Sequence, residues 1–287
     1  MKNLNIFSLL YKSILLFMLL SILWSCEKVI EIDIKDAKIQ TVVEAYVKST
    51  SGDNLVILSK SANFYGPNDF PMIKGANVTI STNTDSYKLV ELKDGYYHHP
   101  TLGEYANKNY KLTIVIDGEQ IISESTMPNL VQIDSLTFVE NPNQGQGPGG
   151  GNGGPRSGTD EQDPVGYKVY CNFQDPLNED NYYKINILES NSQNFNSFII
   201  NDDLFNGLSA KIKVHSSAIP GDTITVQLSS IDKANYEYYR LLDANGMGAF
   251  TTSVGNPISN VQGDNTIGIF GAYATSTKVL ILPGNNP

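Results

Sequence analysis

Few side chains in this sequence could do chemistry, and their spacing matches no catalytic motif. The three histidines are His98, His99 and His215, and none belongs to a His-Glu-x-x-His zinc motif. The Gly-x-Ser-x-Gly motif of a hydrolase nucleophile is also missing from the sequence. His98 and His99 precede Pro100 in a predicted loop, and neighbouring side chains on a strand point to opposite faces. We therefore expect exposed loop histidines and no metal site.

Adjacent carboxylates occur in three places, but none has the spacing of a known cation loop. Calcium needs about six to eight converging oxygens, and no EF-hand pattern is present. We expect these acids to be solvated. Separated carboxylates could still form a glycosidase pair in space, although no motif indicates one. The sequence thus predicts no catalytic residue and no cofactor, and we expect a protein that is not an enzyme. The acidic groups are Asp160-Glu161-Asp163, Glu179-Asp180 and Asp202-Asp203.

The segment that ends at Cys26 has the features of a cleaved lipoprotein signal. Residues 1–25 contain two lysines and no acid, and Ile14–Trp24 is an apolar run of eleven residues. A helix of that length covers about 16 Å, whereas a bilayer core needs roughly 20 apolar residues. Leu23-Trp24-Ser25-Cys26 resembles a bacterial lipobox, in which the chain is cut before the cysteine. We predict a signal peptide at 1–25 and lipid attachment, with palmitate among the acyl chains, at Cys26.

Two alternatives to the lipid anchor stay open. The segment could be an ordinary signal followed by a chance cysteine, or an uncut membrane anchor. Trp24 stands where lipoboxes usually have a small residue. The apolar run is short for a membrane span, which favours cleavage.

Charge limits the partners that the mature chain can have. Removing residues 1–25 leaves 18 basic and 30 acidic residues, a net charge near −12. This acidity argues against nucleic acid and against an anionic lipid surface, since both need clustered Lys and Arg. The remaining cysteine, Cys171, lies in the alternating stretch YKVYCNF. We expect it to be a buried structural thiol without a disulfide partner.

Short runs of alternating apolar and polar residues, separated by turn residues, predict a mainly β protein. We expect an N-terminal immunoglobulin-like or prealbumin-like β-sandwich at 27–135. A Gly-rich segment at 141–166 is predicted to be a flexible loop or linker, and a second β-rich region with one helix follows at 167–287. The sequence leaves open whether the two β regions pack as one body. The predicted strands of the first region are 27–40, 41–49, 54–61, 76–83, 87–95, 110–116 and 119–127.

The second region contains a strong turn signal and one helical pattern. Asn206-Gly207 predicts a tight hairpin between strands at 197–205 and 208–216. At about 230–245 the apolar period changes to that of a helix, with Ser230 or Asp232 as N-cap and Gly246 at the end. Its expected apolar face is Ile231, Ala234, Tyr238, Leu241 and Leu242. The other predicted strands are 167–175, 181–190, 223–230 and 266–281, the last with Gly268 and Gly271 for close packing or a bulge.

Two groups of aromatic residues are candidates for binding. The helix carries Tyr236, Tyr238 and Tyr239, which could form a sugar or peptide platform, although core packing is favoured. The loop at 61–71 is a candidate partner-binding loop that carries Phe64, Tyr65 and Phe70, because aromatic side chains in loops are often partner anchors. The alternative is that these aromatics cover the open end of the sandwich.

Several blocks together resemble the DUF4249 family of Bacteroidetes outer-membrane lipoproteins, a domain of unknown function. They are SCEKVIEIDI, TVVEAYV, LSKSANFYGPNDFPMIKGANVTI, SSIDKANYEYYRLL and NVQGDNTIGIFGAY. The resemblance covers nearly the whole mature chain, except the Gly-rich segment. Glu27, Glu31 and Asp33 are weakly similar to surface-export signals of that phylum. Periplasmic and cell-surface orientations both stay open.

The resemblance implies location and association rather than a reaction. We expect a non-enzymatic lipoprotein that is an accessory or ligand-capture partner of a TonB-dependent outer-membrane transporter. The alternative is a cell-surface adhesin or fimbria-like subunit. An envelope hydrolase is a third hypothesis, without a supporting motif. The nature of the ligand and the oligomeric state are not readable from the sequence.

Overall fold

A computed structural model describes residues 38–62, 70–103, 107–141, 166–177, 179–190, 192, 195–246 and 256–284 of the chain. These residues form sixteen strands and one helix, α1, at Lys233–Gly246. The strands are β1 Thr41–Lys48, β2 Asn54–Lys60, β3 Asn77–Ser81, β4 Ser86–Lys88, β5 Val90–Lys93, β6 Tyr96–His98, β7 Asn109–Ile116, β8 Glu119–Thr126, β9 Ile133–Asn141, β10 Gly166–Gln174, β11 Tyr182–Glu189, β12 Asn196–Asn201, β13 Ser209–Ala218, β14 Thr223–Ile231, β15 Val261–Gln262 and β16 Thr266–Ile281.

The largest sheet has eight strands in the order β12-β11-β14-β16-β1-β2-β6-β5. The sixteen-residue strand β16 lies at its centre. The first half of β16, Thr266 to Tyr273, pairs with β1 in parallel, and the second half, Ala274 to Ile281, pairs with β14 in antiparallel. Strands from both predicted β regions are therefore bonded within one sheet, and Lys38–Pro287 forms one compact unit.

Two smaller sheets complete two sandwiches. The five-stranded sheet β15-β8-β7-β3-β4 and the three-stranded sheet β13-β10-β9 each share a core with part of the large sheet. Val56 and Leu112 lie in the first core, and Val169 and Leu228 lie in the second. Burying a side chain of this size stabilises the fold by about 1.5–3 kcal/mol. The mainly β, sandwich-like fold predicted from the sequence is confirmed.

The predicted domain limits stay a prediction. Strand β16 contributes to both cores, so the cores are not divided at one point of the chain. Phe270 belongs to the first core and Leu280 packs against the second. The Gly-rich segment lies outside the described residues, apart from Asn141 at the end of β9 and Gly166 at the start of β10. The predicted strand at 27–40 also lies outside them, apart from 38–40.

The hairpin turns near the start of the chain form where Gly, Asp and Asn predicted them. Asp117 and Gly118 have φ values of 52° and 88° between β7 and β8, which the tight turns of hairpins require. Strands β3 and β4 pair through Ser81 and Ser86 around Thr84-Asp85. These local signals suffice because each turn joins neighbouring strands of one sheet.

The hairpin predicted at Asn206-Gly207 is wrong. Gly207 does turn, with φ 73°, but β12 belongs to the eight-stranded sheet and β13 to the three-stranded sheet. The segment between them crosses from one sheet to the other. It is fixed there by Phe205, whose ring lies 5.9 Å from that of Phe173, and by the Gly207 N–H, which donates to Asp175 at 2.9 Å.

Helix α1 forms close to its predicted limits, but its expected apolar face is wrong. Ala234 and Leu242 are exposed, whereas Asn235 is fully buried. Ser230 and Ile231 belong to strand β14, so Asp232 is the N-cap and accepts the Asn235 N–H at 2.8 Å. The buried Asn235 of α1 therefore needs polar partners, which the sheets beneath the helix supply.

Candidate functional site

Three of the four predicted site residues fall outside the described residues. This applies to the lipid-attachment residue Cys26 and to Phe64 and Tyr65 of the aromatic loop. Phe70, at the end of that loop, is described, and 58% of its surface is exposed. Phe70 is therefore not buried in the core. The partner-binding role of the loop, and the alternative that its aromatics cover the open end of the sandwich, both stay predictions.

The chain after Phe70 is held firmly against strand β2. The Lys60 N–H donates to the Pro71 carbonyl at 2.8 Å, and the Ile73 N–H donates to Leu58 at 2.9 Å. Met72 forms an isolated antiparallel bridge with Ser59. The exposed ring of Phe70 is therefore attached to a backbone that continues the large sheet.

Buried Tyr97 in β6 fixes the same segment from the side of the core. Its hydroxyl donates to the Ile73 carbonyl at 3.1 Å and accepts the Ala76 N–H at 3.0 Å. Burial raises the pKa of Tyr97, so the hydroxyl keeps its proton. Glu91 in β5 accepts the N–H groups of Gly95 and Gly75 at 2.9 and 3.0 Å, and these bonds lower the pKa of Glu91.

Strand β5 ends the eight-stranded sheet and exposes further apolar side chains. Val90 and Leu92 lie on β5 and are 61% and 65% exposed. Beside them, the Lys93 ammonium lies 3.8 Å from the centre of the Tyr96 ring. We call Phe70, Val90 and Leu92 the edge surface. Such side chains on a fixed backbone can bind a partner without first ordering a loop.

The histidines are not the exposed loop residues that the sequence predicted. His98 is the last residue of β6, is half-buried, and its Nε2 lies 2.9 Å from the Gly52 carbonyl. His99 is also half-buried, and its backbone exchanges hydrogen bonds with the Asn54 side chain at 2.7 and 2.8 Å. His215 lies 2.9 Å from Glu189 across the second sandwich. His98 and His99 therefore hold the turn between β1 and β2, through Gly52 and Asn54.

Only one carboxylate of the pair Asp202-Asp203 is solvated. Asp203 is exposed, but Asp202 is buried and accepts the Asn181 N–H at 3.0 Å. Asp175, which the sequence did not single out, is also buried and accepts the Tyr183 hydroxyl at 2.5 Å. Burial and the Asp175 carboxylate raise the pKa of Tyr183. These acids fix the start of the crossing between sheets.

Cys171 is fully buried in the second core, and the prediction of a structural thiol is confirmed. Burial raises its pKa to about 12. A thiol reacts as the thiolate, so this cysteine is inert in the folded protein at neutral pH.

The helical tyrosines pack against the outer face of the large sheet. Tyr236 lies 4.9 Å from the Tyr182 ring, centre to centre. The Tyr239 hydroxyl lies 3.1 Å from that of Tyr273, which is buried. The three tyrosines of α1 remain half-exposed. Packing is therefore their main role, as the sequence favoured.

A polar cluster under α1 was missed at the level of the sequence. The Asn260 side chain pairs with both the N–H and the carbonyl of Phe270, at 2.9 and 2.7 Å. Asn235 donates to the same carbonyl at 3.1 Å, and the Ser125 hydroxyl accepts the Ala272 N–H at 2.9 Å. These side chains bond to the stretch of β16 that pairs with β1 on one side and with no strand on its other side. No periodic pattern marks such residues.

The described residues bring together no group of three His, Cys, Asp or Glu that could hold a metal ion. Among them there is also no helix with the length and hydropathy to cross a membrane.

These features define a mainly β protein with two sandwiches on a shared sheet and an exposed apolar edge. The chain belongs to the DUF4249 family, described as a domain of unknown function, whose model matches residues 27–279. Comparison with curated proteins finds no match.

Proposed function

We propose that this protein is a non-enzymatic lipoprotein of the outer membrane that acts as an accessory or ligand-capture partner of a TonB-dependent transporter. The observation that carries the proposal is the edge surface, where Phe70, Val90 and Leu92 are each more than half exposed. Large apolar side chains that stay exposed on neighbouring segments of one sheet can contribute to a protein interaction site.

Lipid attachment at Cys26 would place the edge surface near the membrane. The first strand begins at Thr41, and Phe70 follows the second strand along the chain. The short segment from Cys26 to Thr41 limits how far the first sandwich can extend from an anchor. A partner embedded in the outer membrane is thus within reach.

The backbone behind the edge surface supports a binding role. Residues 71–73 bond to β2, and Tyr97 bonds to Ile73 and Ala76. A surface that is already ordered loses little conformational entropy on binding. Among the described residues, the buried acids Asp175 and Asp202 and the half-buried His98 and His215 bond to structural partners, which favours binding over a reaction.

Affinity purification of the tagged full-length chain from native membranes tests the proposal. The unmodified protein is expected to recover a TonB-dependent transporter. A Phe70→Ala/Val90→Ala/Leu92→Ala variant is expected to lose it, whereas Leu204→Ala, at a position that is 93% exposed on the crossing segment, retains it. Recovery of no transporter by the unmodified protein would overturn the proposal.

One observation favours the alternative of an adhesin or fimbria-like subunit. Strand β13 is ten residues long and is an end strand of its sheet. Free edges of this length can accept a strand from another subunit. Strand exchange would appear as a ladder of oligomers on gels, and purification of a monomer would exclude it.

A further inference from the structure

The outer face of the three-stranded sheet holds a groove of about 540 Å³. Its lining comes from all three strands, so the groove runs across them. The register places Ser135, Asn172 and Lys211 side by side on β9, β10 and β13. The inner face of the same sheet packs in the second core, through Val169 and Cys171.

Asn172 at the middle of the groove is held in one orientation. Its amide donates to the Ser135 carbonyl at 3.1 Å and to the Thr137 hydroxyl at 3.0 Å. Both amide hydrogens are used, so the carbonyl oxygen is available to accept a bond from a ligand hydroxyl. At one end, Ser209 donates to Gln174 at 2.8 Å, which leaves the oxygen of Ser209 as an acceptor. Val139, which pairs with outward-facing Lys168 and is 44% exposed, offers an apolar side chain.

The charge of this face is opposite to that of the whole chain. Lys168, Lys211 and Lys213 occupy outward positions on β10 and β13, in a protein with a formal net charge of −10. Among the described residues none of the three forms an ion pair. The Lys211 ammonium lies 4.6 Å from the centre of the Tyr170 ring. Asp134 is the one carboxylate among the described residues that line the groove. Its backbone carbonyl accepts a hydrogen bond from the Lys278 ammonium at 2.7 Å.

We propose that this groove binds an acidic oligosaccharide, in which sugar hydroxyls bond to the polar floor and carboxylates lie against Lys211 and its neighbours. Side-chain acceptors, an exposed apolar side chain and lysines without an ion partner suit such a ligand. An extended acidic peptide would instead be expected along the edge of β13, parallel to the strand. The inference rests on the proposed ligand-capture role and names the class of the ligand.

Isothermal titration of the full-length protein with an oligomer of galacturonic acid tests the inference. The matched probes are a galactose oligomer of equal length and polyaspartate. We expect the acidic oligomer to bind and the neutral oligomer to bind at least about tenfold more weakly. Lys211→Gln should weaken binding by about tenfold, because it removes a charged hydrogen-bond donor. Lys88→Gln, on an exposed strand of another sheet, should leave binding unchanged.

Absence of binding by the unmodified protein would overturn the inference, and so would equal binding by the Lys211→Gln variant. Equal affinity for polyaspartate would overturn the assignment of a saccharide and would indicate an acidic peptide as the ligand. A second variant, Thr137→Val, removes the hydroxyl that orients Asn172 and should weaken binding without a change of charge. Transporter recovery by the Lys211→Gln variant is a separate readout, so failure of the saccharide site and failure of the proposed function can be distinguished.

Discussion

The Asn260 side chain takes the place of a missing strand beside Phe270. Its carbonyl accepts the Phe270 N–H at 2.9 Å and its amide donates to the Phe270 carbonyl at 2.7 Å. The two bonds are those that a neighbouring strand would supply. They occur in the half of β16 that pairs with β1, on the side that β14 flanks only from Ala274 onward. The Phe270 N–H in this half of β16 therefore depends on the Asn260 amide.

Replacing Asn260 by Ala should destabilise the protein markedly. The Phe270 N–H would be left without a partner, and an unsatisfied buried donor costs about 1–3 kcal/mol. The free energy of unfolding in urea measures the effect. Asn196→Ala, at an exposed position of β12, is the matched control. A loss for Asn260→Ala no larger than for the control would contradict this account of the Phe270 N–H.

Replacing Gly268 by Ala should be more severe than a glycine change elsewhere. Gly268 has φ 137°, and a Cβ there would collide with the Val43 backbone of the neighbouring strand. We expect a loss of more than about 2 kcal/mol in urea unfolding, or no folded protein. Gly284→Ala, which meets no atom within 4 Å, should change stability little. Similar losses for both variants would show that close strand approach is not the cause.

The thiol of Cys171 should be protected and should make stability fall at high pH. Its pKa is raised from 9.0 to about 12 by burial. Above pH 9 the unfolded chain releases this proton and the folded chain keeps it, so stability is lost as pH rises from about 9 to about 12. In a Cys26→Ser chain, Ellman's reagent should react with Cys171 only on unfolding. Rapid reaction of the folded protein at pH 8 would contradict the burial.

Tyr183 should contribute a similar loss at higher pH. Burial and the bonded Asp175 carboxylate raise its pKa above the ordinary value of 10.0, so its stabilising effect is complete below pH 10 and declines above it. Tyr183→Phe should lower the free energy of unfolding at pH 7 by about 1–3 kcal/mol, because Asp175 loses a buried donor. Urea unfolding from pH 7 to 11 should show a smaller decline for Tyr183→Phe than for the unmodified chain. An equal decline would exclude Tyr183 as a source.

The sequence predicts what local chemistry decides. Asp117-Gly118 forms its turn because the turn lies within one sheet, and Cys171 is buried because its strand alternates. Gly207 also turns, but nothing local reveals that the strands before and after it join different sheets. That outcome depends on Asp175 and Phe205, which meet the turn only in the folded chain.

The burial of polar residues under α1 could not be predicted from the sequence either. Periodicity predicts that a helix buries its apolar face, yet the fully buried residue among Lys233–Asp243 of α1 is the polar Asn235. Its partners, Ser125 and the Phe270 carbonyl, are distant in sequence. In the candidate site, the aromatic loop was predicted from residue type alone. Val90 and Leu92 were missed, because their exposure results from the terminal place of β5 in the sheet.

We propose that the edge surface meets a membrane-embedded transporter, and this contact can be measured directly. The direct measurement replaces Phe70 by a photo-cross-linking phenylalanine derivative in the full-length chain and identifies the protein cross-linked in native membranes. Leu204, exposed on the crossing segment, carries the same group as control. The account predicts a cross-link to a TonB-dependent transporter from position 70 and none from position 204. No transporter cross-link from position 70, or equal yields from both positions, would contradict it.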